Sequence, residues 1–483
     1  MNKHALAWLV ALATAGVSLL ACAGGGGEAP RAGGPAAQAW VTTADRTRLL
    51  APDAAVPRFG AAQPLAANID VDASTRYQTM AGFGAAITDA SAWLITNRMS
   101  AAQRDALMRE LFGRGEGGVG FDFTRLTIGA SDFSRSHYSF DDQPKGGADL
   151  ALTQFNIDAQ RADVLPVVKQ ALAINPRLQV MASPWSAPGW MKTTDSLIKG
   201  ELRPDRYDAF ARYLVRYVDA FGAEGVPIFA LTIQNEPNFE PGDYPGMKVT
   251  PPQRAELVGK HLGPLLEQRG LKTQVIDWDH NWNAPDNPLA VLADPVARRY
   301  ISGVAWHCYE GAVSAQGPVH DAYPDKDAWF TECSGGRWKP DWAESLPWIT
   351  RNIVIGSTRG WARGALMWNL ALDENDGPHL GGCNDCRGVV TIDSKTGAVT
   401  RNLEYYALGH ASKFVRQGAQ RIASTGAIGG LDNVAFRNAD DGSIALLVCN
   451  SAASEQRFSV RYNGQVLQYS LPANSVATLV WAS

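Results

Sequence analysis

Two glutamates, Glu236 and Glu332, each follow a short apolar stretch and stand immediately before turn-forming residues. Glu236 lies in the run Ala-Leu-Thr-Ile-Gln-Asn-Glu-Pro, and Glu332 lies in Ala-Trp-Phe-Thr-Glu-Cys-Ser-Gly-Gly. In a barrel of parallel strands, such positions face the active-site loops. Two carboxylates over one cleft are what cleavage of a glycosidic bond requires, one as proton donor and one as nucleophile or base. Alone, each could also cap a turn or helix, because helix N-termini favour acidic residues.

Polar side chains near the two glutamates suit distinct parts of this chemistry. Asn235 directly precedes Glu236, and its amide can hydrogen-bond a sugar 2-hydroxyl in the transition state. Arg125, at the end of the second strand-like run, can keep the nucleophile ionised and aimed, although a purely structural salt bridge is the alternative. His307 and Tyr309 end the sixth run, where they can tune the protonation of the acid and hold the nucleophile.

Two tryptophans, Trp185 and Trp368, also fall at strand ends and are candidate platforms for sugar rings, although core packing explains either one as well. His307 has no second histidine at ligand spacing, so we expect no metal site. No Ser-His-Asp arrangement stands out, and a Gly-x-Ser-x-Gly motif is absent. The predicted chemistry therefore requires no cofactor.

The elements that must position these residues alternate between strand and helix from about residue 79 to 372. Such alternation indicates a parallel sheet, and eight repeats favour a (β/α)8 barrel over an open doubly wound sheet. An open sheet would usually carry a glycine-rich phosphate loop after its first strand. The eight strand-like runs are Met80–Ala86, Phe121–Gly129, Leu178–Ser183, Ile228–Asn235, Thr273–Trp278, Ile301–Tyr309, Ala328–Glu332 and Gly364–Leu370.

The pattern changes after about Glu404. One last helix is predicted over Tyr405–Val415, followed by short alternating strands with turn signals that indicate an all-β sandwich. Because this module is short for a full sandwich, the stretch 40–77 is expected to supply further strands, with a barrel cap as the alternative. The predicted domains are N-terminal strands 40–77, a catalytic barrel 78–404 and a C-terminal β-sandwich 405–483.

The first 22 residues form a targeting segment rather than part of the fold. An apolar run, Ala5–Leu20, leads into Cys22 in a pattern that resembles a bacterial lipobox, with an ordinary signal peptide as the alternative. Residues 23–39 are glycine-rich and predict a flexible linker. The leader would direct export of the protein, and lipidation of Cys22 would anchor it at the cell envelope. Because Ala23 rather than aspartate follows, the outer membrane or cell surface is expected.

Composition limits the expected binding partners, and cysteine spacing limits the expected disulfides. The formal net charge is −4 and no basic cluster is present, so nucleic acid is not an expected partner. Cys383 and Cys386 are the one close pair, and export predicts a local disulfide that staples a loop. Cys308, Cys333 and Cys449 are predicted to be buried thiols.

Six ordered motifs resemble glycoside hydrolase family 30, which includes lysosomal glucosylceramidase and microbial endo-β-1,6-glucanases. The motifs are Gly82-Phe-Gly-Ala-Ala-Ile-Thr-Asp89, Arg125-Leu-Thr-Ile-Gly-Ala-Ser-Asp-Phe-Ser134, Ser183-Pro-Trp-Ser-Ala-Pro-Gly-Trp-Met-Lys192, Gln234-Asn-Glu-Pro237, Thr331-Glu-Cys333 and Trp368-Asn-Leu-Ala-Leu372. The resemblance implies a (β/α)8 barrel with a side β-sandwich and a double displacement that retains configuration. It implies that Glu236 is the acid/base and Glu332 the nucleophile. It also implies a sugar subsite lined by Arg125, Asp132, Trp185, Asn235, Tyr244, His307, Tyr309 and Trp368.

The branch of the family depends on a few positions. Glucosylceramidases carry tryptophan where Cys308 stands, whereas the fungal β-1,6-glucanases share His-Cys-Tyr at this point. The fungal β-1,6-glucanases also share patterns like His280-Asn-Trp282 and the segment Asp376–Cys386. These features favour an endo-β-1,6-glucanase, with a glucosylceramidase as the open alternative. A catalytically inactive carbohydrate-binding lipoprotein is the alternative from another class, and the retained glutamates, Asn235 and Arg125 argue against it.

Overall fold

The structure, a computed structural model, describes residues 34–55 and 57–483. The leader 1–22, with the expected lipidation site Cys22, lies outside the described residues. The first strand begins at Gln38, so the linker predicted to reach residue 39 ends earlier. The reason is that Gln38–Thr42 finds a pairing partner in the last strand of the chain. Within the described part of the chain, no helix is long and apolar enough to cross a membrane.

The described chain alternates strands and helices through its middle and ends in strands. The strands are β1 (Gln38–Thr42), β2 (Ala51–Pro52), β3 (Asn68–Thr79), β4 (Gly82–Ala86), β5 (Phe123–Ile128), β6 (Gln179–Pro184), β7 (Ile228–Thr232), β8 (Gln274–Asn281), β9 (Ile301–His307), β10 (Asp327–Glu332), β11 (Gly335–Gly336), β12 (Ala362–Asn369), β13 (Ala371–Leu372), β14 (Cys386–Arg387), β15 (Val390–Ile392), β16 (Val399–Arg401), β17 (Gln420–Ser424), β18 (Leu431–Arg437), β19 (Ile444–Asn450), β20 (Gln456–Tyr462), β21 (Gln465–Leu471) and β22 (Ser475–Trp481). The α-helices are α1 (Asp89–Asn97), α2 (Ala101–Phe112), α3 (Asp158–Arg161), α4 (Val164–Ile174), α5 (Tyr207–Ala223), α6 (Pro251–Glu256), α7 (Gly263–Arg269), α8 (Asp286–Ala293), α9 (Pro295–Tyr300), α10 (Gln316–Ala322), α11 (Trp342–Ile349), α12 (Ser357–Arg359) and α13 (Leu403–Ser412). One π-helical segment, Leu257–Leu262, joins α6 to α7, and another, Thr350–Gly356, joins α11 to α12.

Eight parallel strands close into a barrel in the order β4, β5, β6, β7, β8, β9, β10, β12, with β12 pairing back to β4. Each of the eight strand-like runs of the sequence overlaps one of these strands. The (β/α)8 prediction is therefore confirmed. Closure matters for function because it brings the carboxyl ends of all eight strands around one opening.

The inside of the barrel changes from apolar to polar along the strand direction. Its lower layer is one buried apolar cluster that includes Phe123, Met181 and Trp329. Side chains alternate along a strand, so the residue two positions further on points inward as well. Those next positions carry polar groups that are fully or almost fully buried: Arg125, Ser183, Thr232, His307 and Thr331. The strands thus place a polar layer directly above an apolar plug, at the mouth of the barrel.

Strand β8 reaches the same polar layer through a local irregularity. Ile276 belongs to the inner cluster, whereas Asp277 turns outward and pairs with Arg254 of α6. Trp278 also faces Arg254, at 5.5 Å from its guanidinium carbon. Trp278 and Asp279 both have positive φ, 77° and 57°, and the strand register shifts at this point. Two successive outward residues thereby allow Asp279 to point into the barrel.

A nine-stranded sheet packs beside the barrel, in the order β2, β1, β22, β19, β18, β17, β3, β20, β21. Strands from both chain ends build it, since β1 pairs with β22 and β3 lies between β17 and β20. Helix α13 joins it to the barrel through buried His410, whose ring nitrogens lie 2.9 Å from the hydroxyls of Thr42 and Thr478.

Two disulfides lie at the mouth of the barrel. One joins Cys383 to Cys386, the pair expected to staple a loop. The other joins Cys308 to Cys333, so the prediction that both are free buried thiols is wrong. The cause is register: His307 and Glu332 pair across β9 and β10, which sets the next residue of each chain segment 5.3 Å apart between Cα atoms. Cys449 is a buried free thiol, as predicted.

Candidate active site

Glu332 ends strand β10 and is 5% exposed. Its Oε2 accepts a 2.6 Å hydrogen bond from Nη1 of Arg125, and its Oε1 accepts a 2.9 Å bond from the hydroxyl of Tyr309. Both oxygens are therefore fixed in position, and a buried guanidinium lies directly against one of them. A carboxylate held in this way, at the edge of a cavity, is suited to act as a nucleophile.

Arg125 is the third of six residues in β5, so its predicted position at the end of that strand is wrong. Its side chain is fully buried. Besides Glu332, it donates to Oδ1 of Asn235 at 2.7 Å and to Oδ2 of Asp279 at 2.7 Å. The ring of Trp185 lies 4.7 Å from the guanidinium carbon. Arg125 therefore orients Glu332, the amide beside Glu236 and a cavity wall together.

Asp279 is the centre of the polar layer, and sequence reasoning missed it. Its Oδ2 accepts bonds from Arg125, Ser183 and Thr232, and its Oδ1 lies within bonding distance of His307 and Thr331. Burial opposes its ionisation, but Arg125 and His307 outweigh burial and hold the pKa of Asp279 far below its usual range. The run Asp-Trp-Asp-His within an otherwise apolar strand was the available signal.

Glu236 lies four residues beyond the end of β7, in the loop that follows, rather than at the strand end itself. Its φ is 49°, a left-handed conformation that is uncommon for glutamate, and its backbone N–H donates to the Asp279 carbonyl at 3.1 Å. Its Oε1 contacts two imidazoles, Nδ1 of His307 at 3.2 Å and Nε2 of His280 at 3.3 Å. The strained turn thus directs the carboxylate at the histidines and the cavity.

His280 and His307 determine how a proton is shared between Glu236 and His307. Burial alone would lower the pKa of His307, but Glu332, Asp279 and Glu236 raise it to about 9. Burial alone would raise the pKa of Glu236, but His280 and His307 together hold it well below its usual range. These opposite shifts favour a protonated His307 beside an ionised Glu236, with Nδ1 of His307 and Oε1 of Glu236 3.2 Å apart.

The separation of the two glutamates distinguishes between two reaction courses. One oxygen of Glu236, one oxygen of Glu332 and one nitrogen of His307 all lie within 4.8 Å of one another. Carboxyl groups about 5 Å apart suit a retaining mechanism, whereas an inverting one needs about 6.5–9.5 Å to admit water. The same three groups also form a ligand-type cluster, but Arg125 and Tyr309 already engage both oxygens of Glu332, and Asp279 engages one nitrogen of His307.

A cavity of about 550 Å³ opens over the glutamates. Trp185 and Trp368 stack on each other in its wall, with ring centroids 4.9 Å apart and planes 17° apart. Asp132 faces the cavity, and its pKa is raised well above the usual range by burial and by the nearby Glu332 and Glu236. A neutral Asp132 can donate as well as accept a hydrogen bond, as the hydroxyls of a sugar require.

The structure brings most of the predicted subsite together. The residues that line this cavity include Asp132, Trp185, Asn235, Tyr244, Tyr309 and Trp368, together with both glutamates, Cys383 and Cys386. Arg125 and His307 are fully buried beneath them and contact the carboxylates. His280, which the sequence singled out only as part of a family pattern, contacts Glu236 directly.

A closed (β/α)8 barrel with two opposed, separately positioned carboxylates in its mouth defines a glycoside hydrolase. The glycosyl hydrolase family 30 TIM-barrel domain matches residues 80–415, and the family 30 beta sandwich domain matches residues 418–479. The chain belongs to glycosyl hydrolase family 30.

Relatives from two branches of the family resemble the chain. An endo-1,6-beta-D-glucanase of Neurospora crassa is 35% identical over 429 residues, covering 85% of this chain and 87% of the relative. The lysosomal acid glucosylceramidase of Mus musculus is 28% identical over 434 residues, covering 84% and 82%. The solved structure of the endo-beta1,6-glucanase BT3312 matches with a TM-score of 0.85 and 34% identity, covering 93% of this chain and all of that one.

Proposed function

We propose that the protein is a retaining endo-β-1,6-glucanase in which Glu236 is the acid/base and Glu332 the nucleophile. The observation that carries the reaction course is the approach of the two carboxylates to within 4.8 Å. Greater similarity to endo-1,6-beta-glucanases, 35% against 28% for the mouse glucosylceramidase, supports the β-1,6 linkage. The Cys308–Cys333 disulfide supports it too, because the paired cysteine lies within the His-Cys-Tyr pattern of the glucanases.

The reaction proceeds in two displacements. Glu332 attacks the anomeric carbon of the glucose in the cavity and forms a covalent glycosyl ester, while Glu236 protonates the departing oxygen. The proton reaches Glu236 from His307 across their 3.2 Å contact as negative charge develops on that oxygen. Glu236 then deprotonates a water molecule that attacks the same carbon, and Glu332 leaves. Two inversions at one carbon give net retention.

The surrounding groups stabilise this course without taking part in bond making. Arg125 donates to the Glu332 oxygen and to Asn235, so the nucleophile and the amide beside Glu236 keep a fixed relation. Asn235 bonds Arg125 through its oxygen, which leaves its amide N–H groups for the sugar 2-hydroxyl. That contact strengthens as the oxocarbenium-like transition state forms.

The decisive experiment incubates the protein with a linear β-1,6-glucan, an aryl β-glucoside and glucosylceramide in parallel. Release of reducing ends from the polymer, with oligosaccharides as early products, is expected, and proton NMR should show the β-anomer first. An α-anomer as first product would contradict the retaining assignment. Preferred cleavage of glucosylceramide would instead identify the protein as a glucosylceramidase. Binding without turnover of any substrate would establish the inactive carbohydrate-binding alternative.

We also infer that the enzyme is exported and anchored by a lipid on Cys22. The lipid anchor is supported by the leader, in which basic and then apolar residues end in Leu-Leu-Ala-Cys. Export is supported by the two disulfides, because disulfides persist in oxidising compartments. Expression in a Gram-negative host should place the protein in the outer-membrane fraction, and mass spectrometry should find acyl chains on residue 22. A Cys22→Ala protein recovered in the same membrane fraction as wild type would contradict the anchor.

A further inference from the structure

A second cavity adjoins the catalytic one. It measures about 410 Å³, and Tyr309 and Trp338 line both cavities, so the two are adjacent. Its far wall is Trp348, on the last turns of α11, and its base includes Cys308 of the disulfide. The three aromatic residues are unusually open for large rings: Tyr309 is 42%, Trp338 47% and Trp348 45% exposed. We call this second cavity the tryptophan groove.

Trp338 is held in place rather than free to rotate away. A methyl group on Gly336 would overlap the Trp338 ring, so the ring rests directly against the backbone of a residue that has no side chain. Gly336 itself pairs with Cys386 in the short β11–β14 ladder. One wall of the groove is therefore supported by the same loops that carry the two disulfides.

The lining of the groove matches an amphipathic occupant. Two indole faces offer apolar surface, while Lys339, Glu344 and Ser345 add charged and hydroxyl groups along the same cavity. Lys339 and Glu344 form an exposed ion pair at 2.8 Å. A glucose ring presents C–H groups on its faces and hydroxyls on its edge, and so satisfies both kinds of surface. A hydrocarbon chain would satisfy the indoles only.

We propose that the tryptophan groove is a subsite for the glucose units of the substrate chain that lie next to the catalytic cavity, with Trp338 and Trp348 as stacking platforms. This inference rests on the proposed glucanase function. The extra exocyclic methylene in each β-1,6 linkage makes such a chain flexible enough to bend past Tyr309 from one cavity into the other. The groove would then add binding energy only for substrates longer than one or two sugars.

The test compares kcat/KM for a β-1,6-linked glucose tetramer with kcat/KM for an aryl β-glucoside, in wild type, Trp348→Ala and Trp338→Ala. Loss of one stacking platform is expected to lower the tetramer-to-glucoside ratio about tenfold in either variant. Trp348→Phe should recover most of the ratio, because a smaller aromatic face remains. Leu150→Ala, an exposed apolar residue that lines neither cavity, is the matched control and should keep the wild-type ratio.

Two outcomes would overturn the subsite, and they differ from failure of the proposed function. If wild type cleaves the tetramer but both tryptophan variants keep its ratio, the groove does not bind the chain. If Trp348→Ala instead weakens hydrolysis of glucosylceramide and spares the tetramer, the groove holds a lipid chain. If wild type cleaves no β-1,6-linked substrate at all, the glucanase assignment itself is wrong.

Discussion

The floor of the active site, formed by Arg125, Asp279 and His307, and its entrance, lined by Trp338 and Trp348, differ in burial and in contacts. In the floor, Arg125, Asp279 and His307 are fully buried, and each contacts at least two charged or polar partners. At the entrance, Trp338 and Trp348 are roughly half exposed and line the second cavity. A buried ionic network has one low-energy arrangement, because any unpaired charge is costly there. Under the proposed function, the floor fixes the chemistry and the tryptophan groove selects the substrate.

The largest effect should follow from removing the nucleophile in the floor. Glu332→Gln keeps the shape of the side chain but removes its charge, so kcat is expected to fall about 10⁴-fold or more on every substrate. A uniform loss on the tetramer and on the aryl glucoside is the mark of a floor residue. Steady-state kinetics on both substrates measures it. Turnover within tenfold of wild type would rule out Glu332 as the nucleophile.

The sequence predicts those active-site residues whose positions depend on a local residue pattern. Strand ends are visible as apolar runs that stop at turn residues, and so Glu332, Trp185 and Trp368 are predictable at or near strand ends, and Glu236 in the loop just beyond one. Asp279 is not, because simple alternation from Ile276 would point Trp278 inward, and only the bulge in β8 reverses this. No local pattern announces a bulge formed by two residues with positive φ.

The remaining surprises arise from contacts between distant segments. Cys308 and Cys333 are 25 residues apart, and only the register of β9 on β10 shows that they meet. The proton location is equally non-local, since His280 and His307 converge on one oxygen of Glu236 from two different strands. Sequence reasoning placed Glu236 near the barrel mouth but could not assign the charges around it.

The second prediction tests whether Asp279 sets the charge balance of the floor. Asp279→Asn removes one of the carboxylates that raise the pKa of His307 to about 9. We expect kcat/KM to fall about 100-fold and the alkaline limb of the pH profile to move to lower pH. In wild type, protonated His307 stabilises the fold fully below its ordinary pKa of 6.5, and this stabilisation is lost as the pH rises through about 9.

Asp277→Asn is the matched control. Asp277 lies two residues away in the same strand and is equally buried, but it pairs with Arg254 outside the barrel. Both variants leave an arginine short of a carboxylate, so both should lower the free energy of unfolding. Only Asp279→Asn should shift the pH profile of activity. An equal shift in both would show that general destabilisation, and not the charge on His307, governs the alkaline limb.

The third prediction concerns the disulfide that ties floor to entrance. Cys308 is flanked by His307 and Tyr309, and Cys333 follows Glu332, so the bond links the nucleophile strand to the strand that holds its partners. Closing a 25-residue separation should contribute about 3 kcal/mol to the free energy of unfolding. The double variant Cys308→Ser/Cys333→Ser is expected to lose this stability and about tenfold in kcat. Urea unfolding and initial rates measure both, and unchanged kcat would confine the bond to a purely structural role.

The smallest effect should come from the other disulfide, and it separates entrance from floor most directly. Cys383 and Cys386 are only three residues apart, so their bond removes little chain entropy and its loss should cost about 1.5 kcal/mol or less. Both cysteines line the catalytic cavity, yet neither contacts Arg125, Glu236 or Glu332 through a hydrogen bond. Cys383→Ser/Cys386→Ser is therefore expected to raise KM for the polymer about threefold while kcat on the aryl glucoside stays near wild type. Were kcat to fall on both substrates alike, this loop would belong with the floor, because only a displaced carboxylate produces a loss that is independent of substrate length.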